Sequence, residues 1–155
     1  MTIVQIAAAS LLLLQATAPA ARKPAPAAQK PAAPAAKSAD VAVTVTYKGK
    51  GAVDATHKII VWVFADPDIT SASRPVAHQI VTKNNETVTF KDLATSPAYL
   101  FAVYDETGNY DGVSGPPPAG VPSSLYRKTP KGAPAAVTPG TPVKFTFDDS
   151  ERWNK

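Results

Sequence analysis

The chain has 155 residues, 16 Lys and Arg against 12 Asp and Glu for a net charge of +4, and no cysteine. Without a thiol there is no disulfide, no thiolate metal site, no cysteine nucleophile and no lipid-modified N-terminal Cys. Nor is the positive balance a nucleic-acid footprint: residues 1–40 hold four cations and one acid, so the remainder carries 12 against 11 and is nearly neutral.

Ile3 to Leu14 (IVQIAAASLLLL) is apolar but too short to span a bilayer core comfortably, and it suits the h-region of an export signal. Ala16-Thr17-Ala18 and Ala18-Pro19-Ala20 offer a cleavage site near Ala20 or Ala21, which defines a signal over 1–20. No Lys or Arg precedes the apolar run, so an uncleaved anchor stays open as the alternative. Residues 21–40 are Ala, Pro and Lys with no large apolar side chain, and cannot bury enough surface to offset the entropy of ordering. They are expected to be a disordered tether, able at about 3.1 Å per residue to reach on the order of 60 Å. Its cations are either solvated or in touch with an acidic envelope polymer.

From Val41 the pattern changes to short extended runs. Val41 to Tyr47 (VAVTVTY) alternates strictly and predicts a half-buried strand, followed by the turn Lys48-Gly49-Lys50-Gly51. Lys58 to Phe64 (KIIVWVF) is apolar on both faces, as a central strand is. A loop from Ala65 to Arg74 leads to a strand over Pro75 to Thr82, a hairpin turn at Asn84-Asn85 and a return over Thr87 to Phe90. Ala98 to Tyr104 (AYLFAVY) is again apolar on both faces, so it must be covered on both sides. It ends at Asp105, where a long Gly/Pro/Asn loop begins that is expected at the surface. Leu125-Tyr126 begins another short pairing, Ala135 to Val137 a short edge, and Val143 to Phe147 (VKFTF) a closing strand. With no sustained 3.6-residue periodicity, these pieces predict an all-β fold: a seven-stranded (six to eight) antiparallel Greek-key β-sandwich over 41–149, with a polar C-terminal tail over 150–155.

VTVTYKGKG, the VWVF strand and ETVTFKDLATSPAYLFAVYD together resemble the transthyretin-like (prealbumin-like) sandwiches, including the regulatory-type domains found beside carboxypeptidases. The resemblance covers roughly Val41 to Asp105 and departs at Ser96-Pro97-Ala98, where Pro-Gly is usual before the Tyr. It implies a stabilising or binding module without catalysis, similar to small exported bacterial proteins. One branch, the hydroxyisourate hydrolases, is enzymatic and ends in Tyr-Arg-Gly-Ser plus conserved histidines. Here Tyr126-Arg127 is followed by Lys128-Thr129, so that activity is not carried over.

Three candidate chemistries remain. Asp105, Thr107, Asn109 and Asp111 place oxygens at every second position, a possible Ca²⁺ site, although an EF-hand template wants Gly and Glu where Tyr110 and Pro116 stand. The competing explanation is that these side chains cap turns. His57 and His78 are the only imidazoles. A small hydrolase would recruit one of them with Asp54 or Asp66 and a nucleophile among Ser71, Ser73, Ser123 and Ser124. Pro116, Pro117 and Pro118 form a rigid ledge leading to Tyr126, either a contact surface for an envelope protein or glycan or an ordered crossover. Asp148-Asp149 and Glu151 follow the last strand, where they either bind cations or simply form a polar C-terminal end. Trp153 there either stacks on a ligand or folds back on a sheet edge, whereas Trp62 belongs to the core. The expected function is a non-catalytic binding or structural module of the bacterial cell envelope, periplasmic or secreted, without nucleic acid and with no transmembrane segment once the signal is removed.

Overall fold

The computed structural model describes residues 40–93 and 97–154. The expected signal and, apart from Asp40, the expected tether lie outside the described residues. Among these residues there are eight strands and no helix: β1 (Val41–Tyr47), β2 (Ile59–Phe64), β3 (Ala77–Val81), β4 (Glu86–Phe90), β5 (Ala98–Tyr104), β6 (Ser123–Leu125), β7 (Ala136–Val137) and β8 (Val143–Phe147). They form a three-stranded sheet, β4-β1-β8, facing a five-stranded one, β3-β2-β5-β6 with β7 also on β5. No helix long and apolar enough to cross a membrane occurs among the described residues.

The alternation read in β1 is the alternation of burial. Val41, Val43, Val45 and Tyr47 face inward, while Thr44 Oγ1 lies 2.8 Å from Thr87 Oγ1 on the outer face. The inner core between the sheets takes these residues with Ile59, Val61 and Val63 of β2, Leu100, Ala102 and Tyr104 of β5, and Val143, Phe145 and Phe147 of β8. Strands β2 and β5 also bury their second face, where Ile60, Trp62, Phe64, Phe101 and Val103 make a separate outer cluster. This is why both strands read as apolar throughout. They pair with each other in the middle of the larger sheet, and each has a layer on either side.

Three local expectations are corrected. First, the pairing is not wholly antiparallel: β1 and β8 run parallel. The chain reaches β8 by crossing from β7 at the end where β1 starts, and Gly140 N donates to Asp40 O at 2.9 Å there, so the two strands set off in the same direction.

Second, Asn84-Asn85 is not the turn of an in-sheet hairpin but an arch that carries the chain from β3 in one sheet to β4 in the other. Asn84 holds the end of β1, its Oδ1 accepting from Tyr47 N and its Nδ2 donating to Tyr47 O, each at 2.8 Å. Asn85 sits at φ 63°, which Asn tolerates better than branched residues do. Asn85→Val is therefore expected to cost roughly 1–2 kcal/mol by urea denaturation, and Asn85→Gly much less.

Third, the C-terminal residues are not a solvated tail. Trp153 is 5 % exposed, packed on the outer cluster, and Pro122 and Arg152 form a β-bridge.

Candidate functional site: a groove on the outer face of the larger sheet

The outer face of β2 and β5 needs a cover, and the long loop supplies it. Asp105 is wholly buried, and its carboxylate organises the first turn. Oδ1 accepts from Thr107 N at 3.2 Å, Thr107 Oγ1 at 3.0 Å and Gly108 N at 2.9 Å; Oδ2 accepts from Tyr110 N at 2.9 Å. Lys58 Nζ lies 3.6 Å from Oδ2 and balances the charge. The turn drives Tyr110 onto the sheet beside Trp62, with ring centroids 6.1 Å apart. Trp62 Nε1 donates to Gly112 O at 3.1 Å, and Tyr110 OH to Gly115 O at 2.7 Å. Glycine is required at 112, where φ is +81° and a Cβ would stand 2.8 Å from Ile60 Cγ2. The C-terminal segment completes the cover, with Gly120 N donating to Trp153 O at 2.7 Å and Trp153 N to Val121 O at 2.9 Å. Its indole packs on Phe101, 5.4 Å between centroids.

The cover is incomplete on the β3 side. There a groove of about 480 Å³ opens between the loop after β2 and the Gly112–Pro117 turn. Its floor is Trp62, Phe64, Phe101, Tyr110 and Trp153, and its rim carries Ser71, Ser73, Arg74, His78, Val113 and Ser114. Val113 is 64 % exposed at the lip, and Val76 and Ile80, also exposed, flank His78 along the β3 stretch. The Gly112 turn is itself fixed by Asp111, whose carboxylate accepts from the Ser114 hydroxyl and from Val113 N and Ser114 N, both 2.9 Å. The Ser114 hydroxyl first, then those backbone donors, hold its carboxyl down at about 2.

The residues expected at a Ca²⁺ site share this loop, but their oxygens serve its own backbone. Asp105 faces inward onto N–H groups, Thr107 donates to Asp105, Asn109 is exposed with its N–H on Thr107 Oγ1 at 3.4 Å, and Asp111 closes a separate turn. The alternation that suggested convergence ends at Gly108 and Gly112, whose positive φ turns the chain. Among the described residues no three His, Cys, Asp or Glu side chains gather as ligands. Adding Ca²⁺ or a chelator is therefore expected to leave the melting temperature within about 1 °C; a rise of several degrees would mean that the cation displaces those donors.

The proline ledge divides. Pro116 and Pro117 line the groove, whereas Pro118 is exposed outside its lining. Tyr126 is not at the ledge: it packs on the inner core against Phe145, with centroids 5.7 Å apart. The two histidines separate as well. His57 Nδ1 lies 3.4 Å from Asp54 Oδ1, both half-exposed, in a hollow with Tyr104 and Glu106 that no serine lines. Asp54 caps the turn there, and the His57 and Thr56 backbone N–H groups lower its pKa. His78 shares the groove rim with Ser71 and Ser73, but Ser73 Oγ is taken by Thr70 N at 2.9 Å. Ser124 bonds Glu151 at 3.1 Å, and Ser123 is buried.

Sequence reasoning missed Ile69, buried in the outer cluster, Arg74 on the groove rim and Tyr110 on the sheet, and left Trp153 open between a ligand and a sheet edge. The signal available was the second apolar face of β2 and β5, which demands large side chains from somewhere in the loops. Beyond the groove, Tyr47 OH bonds to Asp149, whose carboxyl is lowered by that hydroxyl and by Lys50 N. Burial first, then Asp149, raises the Tyr47 phenol; burial likewise raises Tyr104 and pushes Tyr110 up to about 12. The folded state thus keeps protons that the unfolded chain releases. This stabilisation is complete below about pH 10, the ordinary tyrosine value, and is lost as pH rises beyond it. Phenolate absorbance at 295 nm is expected to rise together with unfolding above that pH, and Tyr47→Phe to flatten the dependence.

The chain matches no protein-family model, and comparison with curated proteins and with solved structures finds no match.

Proposed function

We propose that the sandwich is a non-catalytic binding module exported to the bacterial cell envelope, which holds an envelope protein or glycan in the groove beside β3. The apolar run over Ile3–Leu14 and the small residues after it support export. The strand motifs quoted for the transthyretin-like resemblance, set in a two-layer sandwich, support a module of that type. One observation carries the binding role: a loop fastened by a buried carboxylate and two aromatic hydrogen bonds stops short of covering the sheet, leaving an aromatic floor with a polar rim. Concave sites with an apolar floor and a few placed polar groups are the usual form of ligand pockets.

The contact surface is then narrower than the whole 105–126 loop. It comprises the turn from Gly112 to Pro117 and the facing segment from Ile69 to Pro75. The test is co-sedimentation of the full-length chain with isolated envelope fragments, using wild type and a groove-blocking Ser71→Tyr/Val113→Asp pair. Both positions are exposed, so folding is preserved. Saturable sedimentation of the wild type that drops at least tenfold in the variant is the expected result. No association, or equal association of both, would overturn the binding role.

A further inference from the structure

We infer that the groove recognises a saccharide bearing a carboxylate, with Arg74 as its anchor; this rests on the binding role proposed above. The folded part contains three arginines, and two of them are paired: Arg127 with Glu151 at 2.9 Å and Arg152 with Glu106 at 3.0 Å. Arg74 has no carboxylate partner among the described residues, and it is the only permanently charged side chain on the groove lining. A guanidinium at the rim of an otherwise uncharged site selects for one carboxylate, which it grips in a bidentate fork.

The rest of the lining suits a polyol. On the rim Ser71 offers a hydroxyl that can donate and accept, Ser73 Oγ already accepts from Thr70 N and Ser114 already donates to Asp111, so the latter can only accept, and His78 adds an imidazole. Aromatic faces and the Pro116-Pro117 wall offer apolar surface for the C–H face of a sugar ring. Trp153 Nε1 is the single buried side-chain polar atom without a hydrogen-bond partner among the described residues, and its indole borders the groove. A densely charged polyphosphate such as a nucleic acid needs several cations and is a poor match. An acidic peptide shares the charge but not the ring faces and hydroxyls that the aromatic floor and serine rim match.

The chain's two tryptophans, Trp62 and Trp153, both line the groove, so intrinsic fluorescence reports its occupancy directly. The full-length chain is titrated with an oligogalacturonate, with a neutral oligosaccharide of equal length, and with a Glu-rich peptide. Expected is a saturable change with the oligogalacturonate alone, weakening several-fold as salt is raised. Arg74→Gln should raise Kd at least tenfold at unchanged melting temperature, Arg74→Lys should recover part of the loss, and Trp153→Phe should weaken binding several-fold with Trp62 still reporting. Equal response to the neutral sugar, response to the peptide instead, or indifference to Arg74→Gln would overturn the inference. If the oligogalacturonate gives no response while envelope sedimentation persists, the ligand class falls and the binding role stands. Loss of sedimentation removes both.

Discussion

Asp105→Ala is expected to lower the stability of the sandwich by roughly 4 kcal/mol, and the melting temperature by on the order of 15 °C. The substitution removes the shared acceptor of three backbone N–H groups and the Thr107 hydroxyl, and leaves Lys58 without its counter-ion. Each buried donor left without a partner costs about 1–3 kcal/mol, less where water can reach it. Tyr110 N is buried; the Thr107 and Gly108 donors are partly so, which keeps the total below a simple sum. Asp105→Asn should lie between wild type and Ala: it keeps the volume, but one face of the amide then donates where backbone N–H groups already donate. Urea denaturation monitored by tryptophan emission gives both numbers. A loss under about 1 kcal/mol for the alanine variant would show that the loop is held by its aromatic contacts alone.

The second large effect is expected at the C-terminus. Trp153→Ala should cost about 3–5 kcal/mol, the usual range for a buried tryptophan. Ending the chain after Ser150 should cost more. It also removes the Gly120–Trp153, Trp153–Val121 and Ser123–Glu151 backbone bonds and the Arg127–Glu151 and Arg152–Glu106 ion pairs. Against a typical domain stability of 5–15 kcal/mol, that truncation brings the fold near its limit. The surface ion pairs contribute little of this; the buried indole packed at a tilt against Phe101 contributes most. Were the last residues a solvated tail, both changes would stay within about 0.5 kcal/mol in thermal denaturation. The truncation also removes part of the groove floor, so a change in ligand binding should accompany the loss of stability.

These two residues mark where sequence reasoning reached its limit. Asp105 is conspicuous in the sequence, an acid at the end of an apolar strand and the start of a glycine loop. Its role was open between cation ligand and turn cap, because side-chain spacing does not say which way a chain turns after the first glycine. Trp153 follows a run of Asp, Ser, Glu and Arg, and those polar neighbours leave its two readings, ligand platform or cover for a sheet, equally open. The groove was invisible for the same reason. Its lining comes from β2, β3, β5, two loops and the last residues, segments up to 91 positions apart between Trp62 and Trp153.

Local pattern by itself determined the strands and their faces. Burial on one side of β1 and on both sides of β2 and β5 follows from a two-residue period that any stretch of a few residues displays, so sandwich architecture was legible from Val41 onward. Tertiary structure alone decided the parallel course of β8, the arch at Asn84-Asn85, and which distant side chains close over the outer sheet face. Those depend on where the chain stands after crossing between layers, and on a buried carboxylate finding its donors. Both are set by the packing of the whole, which no window of sequence contains.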